Sequence, residues 1–221
     1  LAVKKIEDLK KRKKTPILVG GTGLYFKALT DGLSKMPKIP LKIRNQIRSL
    51  QQEIGQKKFY QQLLKIDPMS VNKIKPNDTH RSLRAYEIKF YTQKSINSYF
   101  QNTKSNFKEI DFYKIYIDFP RQDLIKRIKL RTEQMINSGA VNEVKNFIKL
   151  KVKKDKSVNK AIGINEIRQY LKNEKDLHEI IDQISIKTRQ YAKRQSTWAR
   201  GNMKTWLRLK PKHLNKFLNK I

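Results

Sequence analysis

A short apolar run at residues 16–19, Pro-Ile-Leu-Val, is followed by the glycine-rich turn Gly20-Gly21-Thr22-Gly23. A continuous apolar run of this length is typical of a strand buried in a parallel sheet. Residues 24–29 have a helix-like composition. A strand, a glycine turn and a helix start together place backbone N–H groups where they can face an anion. The alternative is an ordinary strand-to-helix turn that binds nothing.

Most of the remaining chain has apolar positions at helical spacing. The first twelve residues have one apolar and one basic face, which predicts an amphipathic helix. Asp67-Pro68 predicts a break, and Asp78 a helix cap. The charge run at residues 151–156 predicts a solvated loop. Further helices are predicted over residues 41–54, 58–64, 79–91, 121–138, 141–151 and 177–199.

A second strand is predicted over residues 113–118, which Phe119-Pro120 ends. Two buried strands are too few for a stable parallel sheet, because its strands need neighbours and its faces need helices. The chain is therefore interpreted as the C-terminal part of a longer α/β protein. Residues 1–37 would end a first α/β segment, residues 38–112 would form a helical domain, and residues 113–221 would return to the sheet and end in helices.

Composition limits the partners and the location of the protein. The chain has no cysteine, so disulfides and thiolate metal sites are excluded and a cytoplasmic location is expected. It has no apolar run of about 18 residues, so no membrane span is expected. Lys plus Arg number 51 and Asp plus Glu 19, which gives a net charge of +32. This excess points to a polyanionic partner, most often a nucleic acid. AT-rich coding also enriches lysine, so arginines placed by pattern are the stronger signal.

Two nucleotide-binding motifs are absent from the sequence. None of the eight glycines is followed by lysine, so the chain has no G-x-x-x-x-G-K-[ST] phosphate loop. The dinucleotide pattern G-x-G-x-x-G also fails, because Phe26 stands where the third glycine is needed.

The helix predicted over residues 79–91 presents a basic face. His80, Arg81 and Arg84 share that face at spacings of three and four. Guanidinium forks on a firmly packed helix suit phosphates and base edges. The alternative is a solvated face on which the arginines pair with Glu87. The opposite face, predicted to be buried, carries Leu83, Tyr86 and Phe90.

The last long helix has a cationic and an aromatic stripe side by side. Such a surface can hold a single-stranded nucleic acid, where stacking contributes about 1–3 kcal/mol per base. The alternative is that Tyr191 and Trp198 are core residues. Arg131 is interpreted either as a surface charge or as an anion clamp, and the scattered histidines indicate no metal site. The cationic stripe comprises Arg189, Lys193, Ser196 and Arg200. The aromatic stripe comprises Ile184, Thr188, Tyr191, Gln195 and Trp198.

Five segments, in this order, resemble the tRNA dimethylallyltransferases: PILVGGTGLYFKALTDGLS, NDTHRSLRAYE, LRTEQMINSGAVNEV, KAIGINE and TRQYAKRQSTWARG. The resemblance implies a P-loop-kinase-like α/β core with a parallel sheet, incomplete here, and a helical insertion domain. It also implies a monomeric enzyme that uses Mg²⁺. Its reaction would transfer a dimethylallyl group from dimethylallyl pyrophosphate to the exocyclic amine of the adenosine 3′ of the anticodon.

The resemblance also implies roles for particular residues. Arg131 would lie near the donor pyrophosphate. Ile164 and Asn165 depart from the family pattern, which has an aromatic and a basic residue there, so tRNA contacts in that segment are in question. His80 replaces the family's glutamine. Residues implied to contact the tRNA anticodon stem-loop are Thr22, Arg44, His80, Arg81, Ser82, Leu83, Arg84, Lys193, Arg194, Gln195, Ser196, Thr197, Trp198, Ala199 and Arg200.

The family's phosphate loop and its general-base aspartate precede the strand before the glycine turn, and this chain has neither. The hypothesis is that the intact protein is the transferase, whereas these residues alone bind tRNA and transfer little or nothing. The alternative is a non-catalytic basic RNA-binding protein or the relic of a split gene. A fragment of a small-molecule kinase would leave the arginine segments unexplained.

Overall fold

The structure is a computed structural model that describes residues 1–219. It divides into two compact units, which are described separately. The first unit comprises Leu1–Val19 and Leu24–Phe112, and the second comprises Gly20–Gly23 and the chain from Tyr113 onward. Within the described residues, no helix is both long enough and apolar enough to cross a membrane.

The first unit is helical, and its longest helix contains a break. Gly55 lies at φ 75° inside α3, so the two helices predicted there form one element with an interruption at the glycine. The amphipathic first helix and the helix after the glycine turn are both confirmed. The helices are α1 (Ala2–Lys11), α2 (Gly23–Thr30), α3 (Leu41–Ile66), α4 (Thr79–Thr92) and α5 (Ile96–Gln101).

The predicted break after α3 is confirmed and is built around a buried carboxylate. Asp67 is 2% exposed and is followed by the short 3-10 turn Pro68–Ser70. Its Oδ2 accepts hydrogen bonds of 2.9 Å from the hydroxyl groups of both Ser70 and Ser95. Because Ser95 also caps α5, Asp67 links the end of α3 to the start of α5.

The core of the first unit lies between α3 and α4, but α4 turns a different face inward from the one predicted. It buries Ser82, Ala85 and Ile88, whereas Leu83 and Tyr86 are half-buried and Phe90 is 53% exposed. Helical periodicity fixes the spacing of a buried face but not its phase. Small side chains at 82 and 85 let α3 approach, which places the aromatic residues at the flank. The core cluster comprises Ile39, Leu63, Ile74, Ala85, Ile88 and Ile96.

The prediction of a buried strand at residues 16–19 is wrong. The segment has no regular secondary structure, and Ile17 and Val19 are 78% and 92% exposed. A strand needs a neighbour with which to exchange backbone hydrogen bonds. No segment among residues 1–219 pairs with it.

Up to residue 219, the second unit has a small parallel sheet and five α-helices. The strand predicted at 113–118 is confirmed as β1, and it pairs in parallel with β2, which was not predicted. The register places Ile115 opposite Leu207 and Ile117 opposite Leu209. The elements are β1 (Ile115–Ile117), α6 (Arg121–Met135), α7 (Val141–Lys149), α8 (Ile164–Leu171), α9 (Leu177–Asn202), β2 (Leu207–Leu209) and α10 (Leu214–Leu218).

The core of the second unit lies among α7, α8, α9 and the π-helical turn Ile136–Ala140 that joins α6 to α7. Gly139 in that turn has φ 102°, a conformation that favours glycine. The predicted helix end at this glycine is therefore a change of helical geometry within a longer run. The core residues are Ile136, Ala140, Val144, Ile167, Ile180 and Ile184.

A buried glutamate holds the start of α8 against α9. Glu166 is 2% exposed; it accepts a 2.9 Å hydrogen bond from the backbone N–H of Gly163 and another from Lys187 of α9. Burial acts to raise the pKa of the Glu166 carboxyl. The hydrogen bonds from Lys187 and from backbone N–H groups outweigh it and lower the pKa below the ordinary value of 4.5.

We expect Glu166 to make the stability of the second unit depend on pH. Since the folded protein has the lower pKa, the ionised carboxylate stabilises the fold above pH 4.5, and this contribution is lost as pH falls through the lowered pKa. Glu166→Gln should reduce the free energy of unfolding at pH 7 by about 1–3 kcal/mol, and the difference from the wild type should shrink toward pH 3. Urea unfolding followed by circular dichroism measures both.

Glu174→Gln is the matched control, because Glu174 is 49% exposed and pairs with the exposed Lys172 at 3.5 Å. It should change the stability by less than about 0.5 kcal/mol. A Glu166→Gln deficit that stays constant from pH 7 to pH 3 would contradict the assignment.

Candidate functional site

Three arginines converge on one buried carboxylate in the first unit. Glu87 of α4 is 3% exposed. Its Oε2 lies 3.3 Å from Nη1 of Arg84, and its Oε1 lies 3.6 Å from Nε of Arg44 and 4.0 Å from Nε of Arg48. We call these four side chains the Glu87 cluster. It carries three positive charges and one negative charge.

Local helix geometry and helix packing together build the Glu87 cluster. Arg44 and Arg48 are four residues apart on α3, and Arg84 and Glu87 are three apart on α4, so each pair lies on one helix face. The two helices pack against each other and bring the pairs together. The arginine side chains are 36–49% exposed, so they contact the buried carboxylate and also reach solvent.

A cavity of about 490 Å³ adjoins the cluster and is lined by three basic and three apolar residues. Arg84 is held at a second point, because its Nη2 donates a 3.2 Å hydrogen bond to the carbonyl of Pro37. The Nε atom of Arg44 is buried and makes no hydrogen bond within the described residues. Fixed guanidinium groups beside a cavity suit phosphate oxygens and base edges. The lining residues are Met36, Pro37, Lys38, Ile39, Arg44 and Arg84.

The structure separates the members of the sequence-predicted His80–Arg84 segment. His80 and Arg81 are exposed, and Arg81 pairs with Asp78 at 3.5 Å. Ser82 is buried and accepts a hydrogen bond from Gln56, while Leu83 is half-buried. Only Arg84 joins the cluster.

The predicted alternative, in which arginines pair with Glu87, is correct for Arg84. The pairing is not on a solvated face, however, because Glu87 itself is buried. Sequence reasoning missed Arg48 and the inward position of Glu87. Arg48 could have been found from its place one helical turn after Arg44.

In the second unit, the glycine turn lies directly against α9. A Cβ added to Gly21 would overlap the amide group of Gln195, and one added to Gly23 would overlap the Trp198 ring. Gly23 is therefore required for this close approach, because the Trp198 ring is rigid, whereas the flexible end of Gln195 can move away from a Cβ at Gly21. The packing brings the predicted tRNA-contacting residue Thr22, which is half-buried, close to the second predicted segment.

The exposed side of α9 is basic and includes one exposed aromatic ring. Tyr191 is 42% exposed, which contradicts its interpretation as a core residue, and the guanidinium of Arg194 lies 5.7 Å from its ring centroid. This is within the range of a cation–π contact. Ala199 is buried, and Gln195, Ser196 and Trp198 are half-buried. The exposed basic and polar side chains along residues 189–200 include Arg189, Lys193, Arg194, Thr197 and Arg200.

Arg131 and the altered 161–166 segment have different surroundings. Arg131 is exposed on α6, and no ion pair or side-chain hydrogen bond to it is found among residues 1–219. In the 161–166 segment, Glu166 has the structural role described above. No group of three or more His, Cys, Asp or Glu side chains in the described chain could hold a metal ion.

The sequence matches a known family over most of its length. Residues 1–202 match the family model described as IPP transferase. The chain belongs to the IPP transferase family. The resemblance found in the sequence is confirmed, as are the helix-rich fold class with a parallel sheet and membership of a family of transferase enzymes.

Curated relatives of this chain are named tRNA dimethylallyltransferase. The one from Pelagibacter ubique is 55% identical over 221 residues, which are all of this chain and 71% of that protein. The one from Rickettsia massiliae is 38% identical over 204 residues, which are 92% of this chain and 56% of that protein. The chain thus spans between 56% and 71% of the length of these two relatives.

Solved structures are similar to this chain in fold as well as in sequence. The full-length tRNA isopentenylpyrophosphate transferase from Bacillus halodurans is 30% identical with a TM-score of 0.59; the match covers 95% of this chain and 64% of that one. A eukaryotic dimethylallyltransferase acting on tRNA is 29% identical with a TM-score of 0.71, over 90% of this chain and 50% of that one.

We expect Gly23→Ala to displace Trp198 from the glycine turn, because the added methyl group would occupy the space of the ring. In a Trp206→Phe background, where Trp198 is the only tryptophan, its fluorescence should shift to longer wavelength as the ring becomes more exposed. Gly201→Ala is the control, since a Cβ there meets nothing within 4 Å. Unchanged emission in Gly23→Ala would contradict the packing of this turn.

Proposed function

We propose that this protein holds the anticodon stem-loop of a tRNA during prenylation. The reaction proposed is transfer of a dimethylallyl group from dimethylallyl pyrophosphate to the exocyclic amine of the adenosine 3′ of the anticodon. The Glu87 cluster is the observation that supports the tRNA-binding part of this proposal. The names of the relatives support the reaction.

The chemistry requires that the target base leave its stack. The amine nitrogen forms a bond to the allylic carbon as the carbon–oxygen bond to pyrophosphate breaks, and the amine loses a proton to a base. An adenine inside a loop must be turned outward to reach the donor, at a cost of a few kcal/mol. Contacts to the loop backbone offset that cost. No residue of this chain is assigned to the proton transfer.

The Glu87 cluster suits the backbone of such a loop. Arg44 and Arg84 line the 490 Å³ cavity together with Lys38. Guanidinium groups can bind a phosphate through two parallel hydrogen bonds, which gives orientation as well as affinity. We therefore assign Arg44, Arg48 and Arg84 to phosphate or base-edge contacts.

The exposed side of α9 is proposed as a second RNA-binding surface. Tyr191 offers a ring for stacking and Arg194 a charge beside it. Arg131 is proposed to bind the pyrophosphate of the donor, and Mg²⁺ is proposed to act on that group, with no step assigned to it on this chain. We also propose that the enzyme works as a monomer in the cytoplasm.

Arg84→Ala should weaken binding of an anticodon stem-loop with adenosine at the target position by about 10–100-fold, because it removes a charged donor pair from the cavity. Fluorescence anisotropy with a labelled stem-loop, at one fixed salt concentration, measures this. The loss for an unrelated hairpin should be smaller.

Arg12→Ala is the matched control for Arg84→Ala. It removes the same charge from an arginine that is 48% exposed and paired with Asp8 at 2.8 Å. It should weaken the binding of the stem-loop and of the unrelated hairpin slightly and by the same factor. An Arg84→Ala loss of the same size for both RNAs would favour a basic RNA-binding protein without loop specificity.

The 221-residue chain alone, supplied with Mg²⁺, dimethylallyl pyrophosphate and tRNA, should transfer little or no prenyl group. The reason is that its sequence contains no G-x-x-x-x-G-K-[ST] phosphate loop. Mass spectrometry of the digested tRNA measures the modified adenosine, with the Pelagibacter ubique relative as the positive control. Transfer at a rate similar to that of the relative would contradict this part of the proposal.

A further inference from the structure

We propose that Glu87 is a positioning residue for RNA binding, an inference that rests on the proposed function. Its buried carboxylate holds the guanidinium groups of Arg44, Arg48 and Arg84 in the arrangement that binds the RNA backbone. Removing its negative charge should therefore weaken tRNA binding, although the protein becomes more positive.

Burial distinguishes Glu87 from its partners. Its side chain is 3% exposed, whereas those of Arg84, Arg44 and Arg48 are 36%, 40% and 49% exposed. The carboxylate is therefore out of reach of a bound polyanion while the guanidinium groups are within reach. A buried glutamate repels the RNA backbone less than an exposed glutamate would. It still attracts the guanidinium groups of the three arginines.

The contacts leave donors on each arginine for a ligand. Arg44 and Arg48 approach Oε1 through Nε, at 3.6 Å and 4.0 Å. A guanidinium has five N–H donors, so one approach through Nε leaves donors on each arginine for a ligand. Arg84 uses Nη1 for Oε2 and Nη2 for the carbonyl of Pro37, which fixes the plane of its guanidinium. The cluster thus combines held side chains with available N–H groups.

The carboxylate also counters repulsion among the arginines. Three guanidinium groups facing one buried point would drive each other apart without a negative charge between them. Freed arginines would sample many rotamers, and binding RNA would then require ordering them again. Holding them in advance raises affinity through preorganisation and not through net charge.

Glu87→Gln in the full 221-residue chain tests this, because glutamine keeps the size of the side chain and removes its charge. The affinity for the anticodon stem-loop, measured by fluorescence anisotropy, should fall about ten-fold. The slope of log affinity against log salt concentration should become shallower, by an amount that corresponds to about one phosphate contact. If Glu87 acted only as a negative charge that repels RNA, Glu87→Gln would instead raise the affinity and make the salt dependence steeper.

Glu53→Gln is the matched control: it makes the same charge change at an exposed position on α3. It should leave affinity unchanged or slightly tighter, with an unchanged or steeper salt dependence. Glu87→Gln combined with Arg84→Ala should lose less than the product of the two single losses, since the two residues act through one contact. If Glu87→Gln weakened binding only by destabilising the packing of α3 and α4, the affinity loss of the double variant would equal the product of the two single losses.

Circular dichroism shows whether Glu87→Gln is folded; if it is not, Glu87→Asp replaces it. That variant keeps the charge but shortens the reach, and it should also bind more weakly with a shallower salt dependence. Binding as tight as that of Glu53→Gln, by whichever Glu87 variant folds, would overturn the inference. If the wild type itself does not distinguish the target stem-loop from an unrelated hairpin, the proposed function fails instead.

Discussion

Compensation of buried carboxylates is the constraint on which both units depend. The protein carries a net charge of +32, yet three of its few acidic residues, Asp67, Glu87 and Glu166, are each 3% exposed or less. A buried charge is costly unless hydrogen bonds or opposite charges surround it. Each of these acids therefore takes one donor from three residues away and at least one from a distant segment, and the distant donor fixes where helices meet.

The donors decide what each buried acid can do. Asp67 is satisfied by two serine hydroxyl groups, and Glu166 by one lysine and a backbone N–H. Neither arrangement brings together an excess of positive charge. Glu87 faces three arginines, so its surroundings keep two net positive charges beside a cavity. The same physical requirement thus yields structural joints in two places and a candidate binding site in the third.

The second unit reaches a basic surface by a different route. Its glycine turn approaches α9 so closely that a Cβ at Gly23 would overlap Trp198. The ring is thereby drawn into a half-buried position, while Tyr191, about two turns earlier on the same helix, is exposed beside Arg194. Close backbone packing, and not charge compensation, orders this surface.

The sequence by itself determined the features that depend on neighbours along the chain. Apolar spacing, the Asp78 cap, the break at Asp67 and the glycine at 139 predicted most helices, because a helix forms among residues three and four apart. The motif order predicted the family. Arg44 and Arg84 were identified as candidate site residues through that resemblance and through helix spacing.

Only the tertiary structure decided features that need a partner far along the chain. The pairing of β1 with β2, the exposed state of residues 16–19 and the inward phase of α4 all depend on which surfaces meet. The same is true of the Glu87 cluster. Arg44 and Glu87 are 43 positions apart in number, and no local pattern shows that a carboxylate on one helix is buried beneath arginines of another.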